Sequence, residues 1–187
     1  MLADGYVRGE QWQTLAVELQ DGDGAHLERM AAYVCPTAVV RHATNRASVK
    51  FSCCGRETAE LIVALRRFGV VPGKSKGHPV PILRESEIPH FIRGFFDGDG
   101  CVGTYRSNHG RQHYPNWELC GQISWLKRVR ELLLPVAGTG GSLTPQRNIF
   151  RLKYRGTAVP KILRFVAGEP CLSRKKVKAD LILRRAA

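Results

Sequence analysis

Residues 91–103 read FIRGFFDGDGCVG, an apolar run spaced by glycines that ends in two aspartates, Asp97 and Asp99. Ile88, Phe91, Ile92, Phe95 and Phe96 fall at i, i+3, i+4, i+7 and i+8, the spacing of one helix face, and Pro89 suits the first helical turn. The pattern predicts a helix over 88–99 with Gly100 at its C-terminal cap. Gly94 and Gly98 lie four apart on one face of that helix. A glycine in a helix interior costs about 1 kcal/mol relative to alanine, and close packing against a second helix would offset that cost.

Carboxylates behind a helix C-terminus face the negative end of the macrodipole. They stand out further in a chain with 29 Lys+Arg against 16 Asp+Glu and a formal net charge of +13. Such a surplus favours a polyanionic partner, because each neutralised phosphate releases condensed counterions. With 187 residues, 43% of them hydrophobic and 24% charged, the chain has the composition of one large domain or two small ones. It contains no run of about 18 apolar residues, so no transmembrane helix is expected, and no secretory signal pattern opens it. The six cysteines form no CxxC pair, and all are expected to be reduced and mostly buried.

The chain repeats itself. Ala3-Asp4-Gly5 matches Gly98-Asp99-Gly100, Val17-Glu18-Leu19 resembles Trp117-Glu118-Leu119, and residues 26–30 resemble 125–129. A period of about 95–100 residues is too long for a solenoid and fits a duplicated half-domain. Each copy is expected to run helix, strand pair, helix, strand pair, helix. The first comprises 1–87, including a Pro/Gly/Lys-rich linker over 71–87, and the second comprises 88–187.

One predicted strand is informative about the partner. Over 149–155, Phe150, Leu152 and Tyr154 alternate with Arg151, Lys153 and Arg155, so one face is apolar and the other cationic. Residues 48–52 alternate more weakly, with Val49 and Phe51 opposite Ser48, Lys50 and Ser52. A sheet covered by helices on one face and lined by Arg, Lys and Ser on the other suits a nucleic-acid groove.

If the two motif helices pack side by side, Asp4 and Asp99 emerge together, and a divalent cation offsets their mutual repulsion. Hard oxygen ligands with few other protein contacts suit Mg²⁺, which bridges to phosphate and can activate water. Other acidic stretches carry no such reading. Asp21-Gly22-Asp23-Gly24 precedes a helix and reads as a cap. An EF-hand beginning at Asp97 fails, because Cys101, Val102 and Asn108 replace the required residues. His109, His113 and Asn116 faintly suggest a histidine-based nuclease, but their surroundings read as a loop.

Residues 92–100, IRGFFDGDG, resemble the signature motif of the LAGLIDADG homing endonucleases, and MLADG resembles the last five positions of that family's first motif. The first motif helix is therefore expected to be short by a turn. The resemblance implies an α+β fold of two pseudo-symmetric αββαββα repeats, with antiparallel sheets forming a DNA-binding saddle. It implies a monomer that cuts both strands of a double-stranded DNA target site with Mg²⁺, for which Mn²⁺ can substitute. Asp4 and Asp99 are then the catalytic acids, with Gly5 and Gly100 in the metal site. Lys74 and Lys175, each following a repeat's last helix, resemble basic residues near the hydrolytic water or scissile phosphate; general phosphate contact is their other reading. Asp97, whose counterpart is Leu2, is expected to be structural. DNA contacts are expected from Arg8, Gln13, Arg41, Lys50, Arg106, Arg111, Arg151, Lys153 and Arg155. The chain is not expected to be a complete intein; the nuclease part of one, an intron-encoded protein and a free-standing one all stay open. The competing expectation is a non-cleaving relative that binds intron RNA as a maturase, or DNA as a regulator. No membrane association is expected, and the expected setting is intracellular: cytoplasmic, with an organelle left open.

Overall fold

The computed structural model describes residues 5–8, 14–44, 46–70, 81–106 and 113–186, apart from the side chains of Arg8, Arg56 and Glu57. The chain divides into two compact units, Met1–Ile82 and Leu83–Ala187. The first runs β1 (Gly5–Arg8), β2 (Thr14–Gln20), α1 (Gly24–Val34), β3 (Arg41–His42), β4 (Ser48–Cys54) and α2 (Arg56–Arg66). The second runs α3 (Ile88–Asp99), β5 (Gly100–Arg106), β6 (His113–Gly121), α4 (Ile123–Ala137), β7 (Ser142–Gln146), β8 (Ile149–Arg155), α5 (Ala158–Phe165) and α6 (Ser173–Arg185). Each unit builds one antiparallel four-stranded sheet, ordered β1-β2-β4-β3 and β5-β6-β8-β7. The halves thus share a strand order as well as an element order, and the α+β duplication read from the sequence is present.

Strand alternation sorts the side chains as expected. In the first sheet Leu15, Val17, Val49, Phe51 and Cys53 are buried on the face covered by α1 and α2. In the second, Val102, Trp117, Leu119, Leu152 and Tyr154 are buried beneath the helices. The phenylalanines of α3 join that core: Phe96 stacks on Trp117 with ring centroids 5.3 Å apart, and Phe91 and Phe95 flank Trp125 of α4 at 5.8 and 6.1 Å. Burying each such ring stabilises the unit by about 1.5–3 kcal/mol, which is why a helix carrying Gly94 and Gly98 still forms.

The ladder refines the repeat. The glycine opening the first sheet, Gly5, faces Val17, whereas Gly100 faces Leu119. Counted from these glycines, Val17 corresponds to Leu119, so the match of 17–19 with 117–119 is displaced by two residues. A shift of two preserves the face on which every side chain lies. Glu18 and Glu118 therefore both occupy the uncovered face of the second strand, one same-face position apart.

Three local details differ from the sequence expectation. Lys175 lies in the first turn of an additional helix, α6, rather than in a segment after the last helix. Asp23 stands at the N-cap of α1 without a capping hydrogen bond from its side chain, and Asp21 instead lies 3.3 Å from His42 Nδ1. Gly100 follows α3 in extended conformation, at φ −97° and ψ 161°, not in the left-handed conformation of a glycine cap. Glycine is needed there for space. A Cβ on Gly100 would collide with the ring and carbonyl oxygen of Phe96. Gly138, by contrast, does end α4 in the left-handed region, at φ 71°.

Gly100→Ala is therefore expected to lower stability by about 1–3 kcal/mol, the cost of forcing a methyl group into a packed site. Gly94→Ala, where an added Cβ meets nothing within 4 Å among the described residues, should be neutral or stabilising through helix propensity. Urea denaturation of the two variants checks the contrast.

Candidate nucleic-acid interface and motif-helix end

The uncovered face of the second sheet gathers Arg151, Lys153 and Arg155 of β8, Tyr105 of β5, and Tyr114, Asn116 and Glu118 of β6. The face is cationic but not wholly so. Glu118 lies at its centre, directly opposite Lys153, and accepts a hydrogen bond from Lys153 Nζ at 2.6 Å. Asn116 Nδ2 donates to the same carboxylate at 2.7 Å. Arg151 Nε lies 3.3 Å away, an ion pair without hydrogen-bond alignment. Partial burial pushes the Glu118 carboxyl up, but the hydrogen bonds from Lys153 and Asn116 and the charges of Lys153 and Arg151 outweigh it and hold the group below its usual range. Farther along the face, the Arg155 guanidinium sits 4.9 Å from the Tyr105 ring, which stacks on Tyr114 at 5.6 Å. Paired rings under a guanidinium form an apolar and cationic platform suited to a sugar or base edge.

The first sheet repeats this chemistry with different residues. Lys50 Nζ donates to Tyr6 Oη at 2.7 Å and lies 5.3 Å from its ring. Glu18, directly opposite Lys50, accepts Ser48 Oγ at 2.6 Å and Arg46 Nη2 at 2.8 Å. Arg41 is opposite Lys50 on the other side. Glu18, Arg41 and Lys50, with His42, Arg46 and Ser52, line an open cleft of about 500 Å³.

The motif helix delivers its aspartates differently. Asp97 is buried and Asp99 is exposed, where α3 passes into β5. Lys175 is only 5% exposed and donates from Nζ to the carbonyl oxygens of Phe96 and Asp97 at 2.5 and 2.6 Å, with its ammonium 4.9 Å from the Phe96 ring. A cation at the carbonyl end of a helix satisfies acceptors that lack intrahelical donors and opposes the negative pole. The middle of α3 is anchored by Arg93, also buried, whose guanidinium donates to the carbonyls of Ala167 and Glu169 at 3.2 Å each. Gly168 gives that guanidinium room, since a Cβ there would lie 2.7 Å from Nη1.

Of the residues expected at the site, Arg151, Lys153 and Arg155 share one face, as do Arg41 and Lys50. Arg8 ends β1 opposite Thr14, and its side chain lies outside the described part of the structure. Arg106, at the end of β5, is opposite His113 and in register with the covered side, two residues from Thr104. Asp4, Lys74, Gln13 and Arg111 lie outside the described residues. His113 and Asn116 belong to strand β6 rather than to a loop, and their parity places them on opposite faces, which removes the histidine-nuclease reading. Four contributors were missed. Glu18, Glu118 and Arg46 organise the faces, and Tyr105 supports Arg155. The Trp-Glu-Leu alternation at 117–119 already places Glu118 opposite the apolar face. Arg46, reached through a connecting turn, has no such signal.

Among the described residues no disulfide is present, and the cysteines are free thiols. Burial pushes the Cys53 thiol up to about 11. Among them also, no three His, Cys, Asp or Glu side chains converge as a metal site, and no helix is long and apolar enough to cross a membrane. Asp99, exposed at the end of α3, offers a hard carboxylate oxygen to a cation there. That donor set fits Mg²⁺, which retains several waters and takes one or two carboxylates.

Two measurements test these assignments. Lys175→Met should lower stability by about 2 kcal/mol, because buried carbonyls lose a charged donor, with Lys175→Arg recovering part of it; denaturant titration reads both. The lowered Glu118 carboxyl contributes stability above the ordinary glutamate range, and that contribution is lost as pH falls through its folded value. Acid unfolding of Glu118→Gln should accordingly lack that component of the pH dependence.

No family model matches the sequence, and no curated protein matches it either. Solved structures do match the fold. The LAGLIDADG meganuclease I-AabMI, bound to uncleaved DNA, is 15% identical with a TM-score of 0.68, over 99% of this chain and 88% of that one. The LAGLIDADG homing endonuclease I-GzeII, in complex with its DNA target, is 10% identical with a TM-score of 0.65, over 99% and 89%. The meganuclease I-SmaMI, bound to uncleaveable DNA, is 12% identical with a TM-score of 0.68, over 97% and 86%. With the same strand order in both halves and an aspartate-tipped helix feeding the second sheet, the chain has the LAGLIDADG homing endonuclease fold.

Proposed function

We propose that the chain is a site-specific double-strand DNA endonuclease that hydrolyses phosphodiesters with divalent cations held at the ends of its motif helices. The observation that carries this reading is the exposed Asp99 at the start of a sheet whose uncovered face bears Arg151, Lys153 and Arg155. An exposed carboxylate beside a cationic face can share a hydrated Mg²⁺ with a phosphate brought to that face. The similar solved proteins, described as homing endonucleases or meganucleases bound to DNA, support the same partner.

In this reading Asp99 and its repeat counterpart Asp4 hold Mg²⁺, with Mn²⁺ as a substitute. The bound cation supplies activation of water and stabilisation of the leaving oxygen. The chain's own contributions are positional. Arg151, Lys153 and Arg155, with Arg41 and Lys50, draw the duplex onto the two sheet faces. Lys175 holds the last turn of α3, and so the aspartate that ends it. Lys74 is assigned to the phosphate on the strength of the repeat alone. The chain acts as a monomer, each repeat addressing one strand of the duplex.

Asp99→Asn is expected to abolish cutting while leaving duplex binding intact. The assay incubates the protein with a randomised duplex library in Mg²⁺ or EDTA and scores cleaved ends, with binding measured separately in EDTA. Cutting by Asp99→Asn at the wild-type rate would overturn the assignment of the site. Wild type that binds duplex but leaves it intact in Mg²⁺ would favour the non-cleaving reading instead.

A further inference from the structure

A carboxylate at the middle of a phosphate-facing surface opposes binding, yet each sheet places one there. Glu118 cannot act mainly as an acceptor for the ligand. Its side chain is only 15% exposed, Oε1 accepts both Lys153 and Asn116, and Oε2 lies beside Arg151. Its effect must therefore be on the cations. An untethered lysine is a flexible point charge that follows the nearest phosphate, whatever the base sequence. Held at 2.6 Å from Glu118, Lys153 has its charge offset and its direction fixed. Arg151 is paired through Nε and keeps 31% of its side chain exposed, which leaves the terminal nitrogens for a two-pronged contact with a guanine edge.

We infer that Glu118 is a positioning residue for sequence discrimination: it restrains Lys153 and Arg151 from indiscriminate phosphate contact and aims them at base edges. Glu18 repeats the arrangement in the first unit, bound to Arg46 and Ser48 and directly opposite Lys50. Two sheets with the same device, one same-face position apart, indicate a feature of the reading surface rather than a single accidental ion pair. The inference rests on the DNA-binding part of the proposed function and is independent of cutting.

The experiment compares wild type with Glu118→Gln, an isosteric change that keeps an acceptor for Lys153 but removes the charge. The wild-type protein first selects preferred duplexes from a random-sequence pool. Affinity for a selected duplex and for the unselected pool is then measured as a function of salt, in EDTA so that no cleavage intervenes. Release of a cation to phosphate should raise affinity for the unselected pool about threefold or more and steepen the log–log salt slope by about 1. The ratio of selected to unselected affinity should fall about fivefold or more, as when one well-placed base contact is lost. Glu18→Gln, tested in parallel, should shift the same quantities in the same directions, and it keeps the inference testable should Glu118→Gln fail to fold. Purely structural glutamates would change melting temperature and leave pool affinity, salt slope and ratio untouched; that result overturns the inference alone. A wild type with no measurable duplex affinity overturns it together with the proposed function.

Discussion

The carbonyl end of α3 is where the demands on the second unit meet. A helix that finishes in Phe-Asp-Gly-Asp has acceptors left over and its negative pole pointed at two carboxylates. Three features make that end tolerable. Phe96 is locked against Trp117. Gly100 turns the chain directly into β5 across a gap too narrow for a Cβ. The ammonium of Lys175, buried in the first turn of α6, caps the carbonyls of Phe96 and Asp97. Because β5 starts at Gly100, anything that loosens this end moves both the exposed Asp99 and the edge of the sheet.

Under the proposed function the sheet faces answer a second constraint, that of attracting phosphate without adhering to every sequence equally. Arg and Lys at alternate positions supply the attraction. Tyr105 under Arg155 and Tyr6 under Lys50 restrict two of those cations, and Glu118 and Glu18 restrict others. Each restraint lowers the bare electrostatic gain and narrows the directions in which a cation can donate. A reading surface needs that exchange, and a merely basic one does not.

Much of this was legible in the sequence because it depends on local periodicity. The phenylalanine spacing gives α3 its limits, and the alternation at 149–155 gives β8 its two faces. What was not legible depends on approach between distant segments. Lys175 reads as a residue beside the hydrolytic water or the scissile phosphate until α6 folds it against Phe96, 79 residues away in sequence. Gly100 reads as a left-handed cap, because a sequence does not show the Phe96 ring standing where a Cβ would go. Glu118 could have been assigned to the cationic face by alternation, but its partners emerge only from the register that pairs β6 with β8. The two-residue displacement between the halves is a register property too, invisible to a comparison of residue types.

The proposed chemistry requires a cation site at the end of α3. Iron-directed backbone scission tests this on the full chain: Fe²⁺ replaces the natural cation, ascorbate and peroxide are added, and the fragments are mapped by mass. Cuts are expected to cluster around residue 99, with companions near residue 4, to be suppressed by excess Mg²⁺ and to be lost in Asp99→Asn. Scission concentrated elsewhere, or indifferent to that substitution, would contradict it.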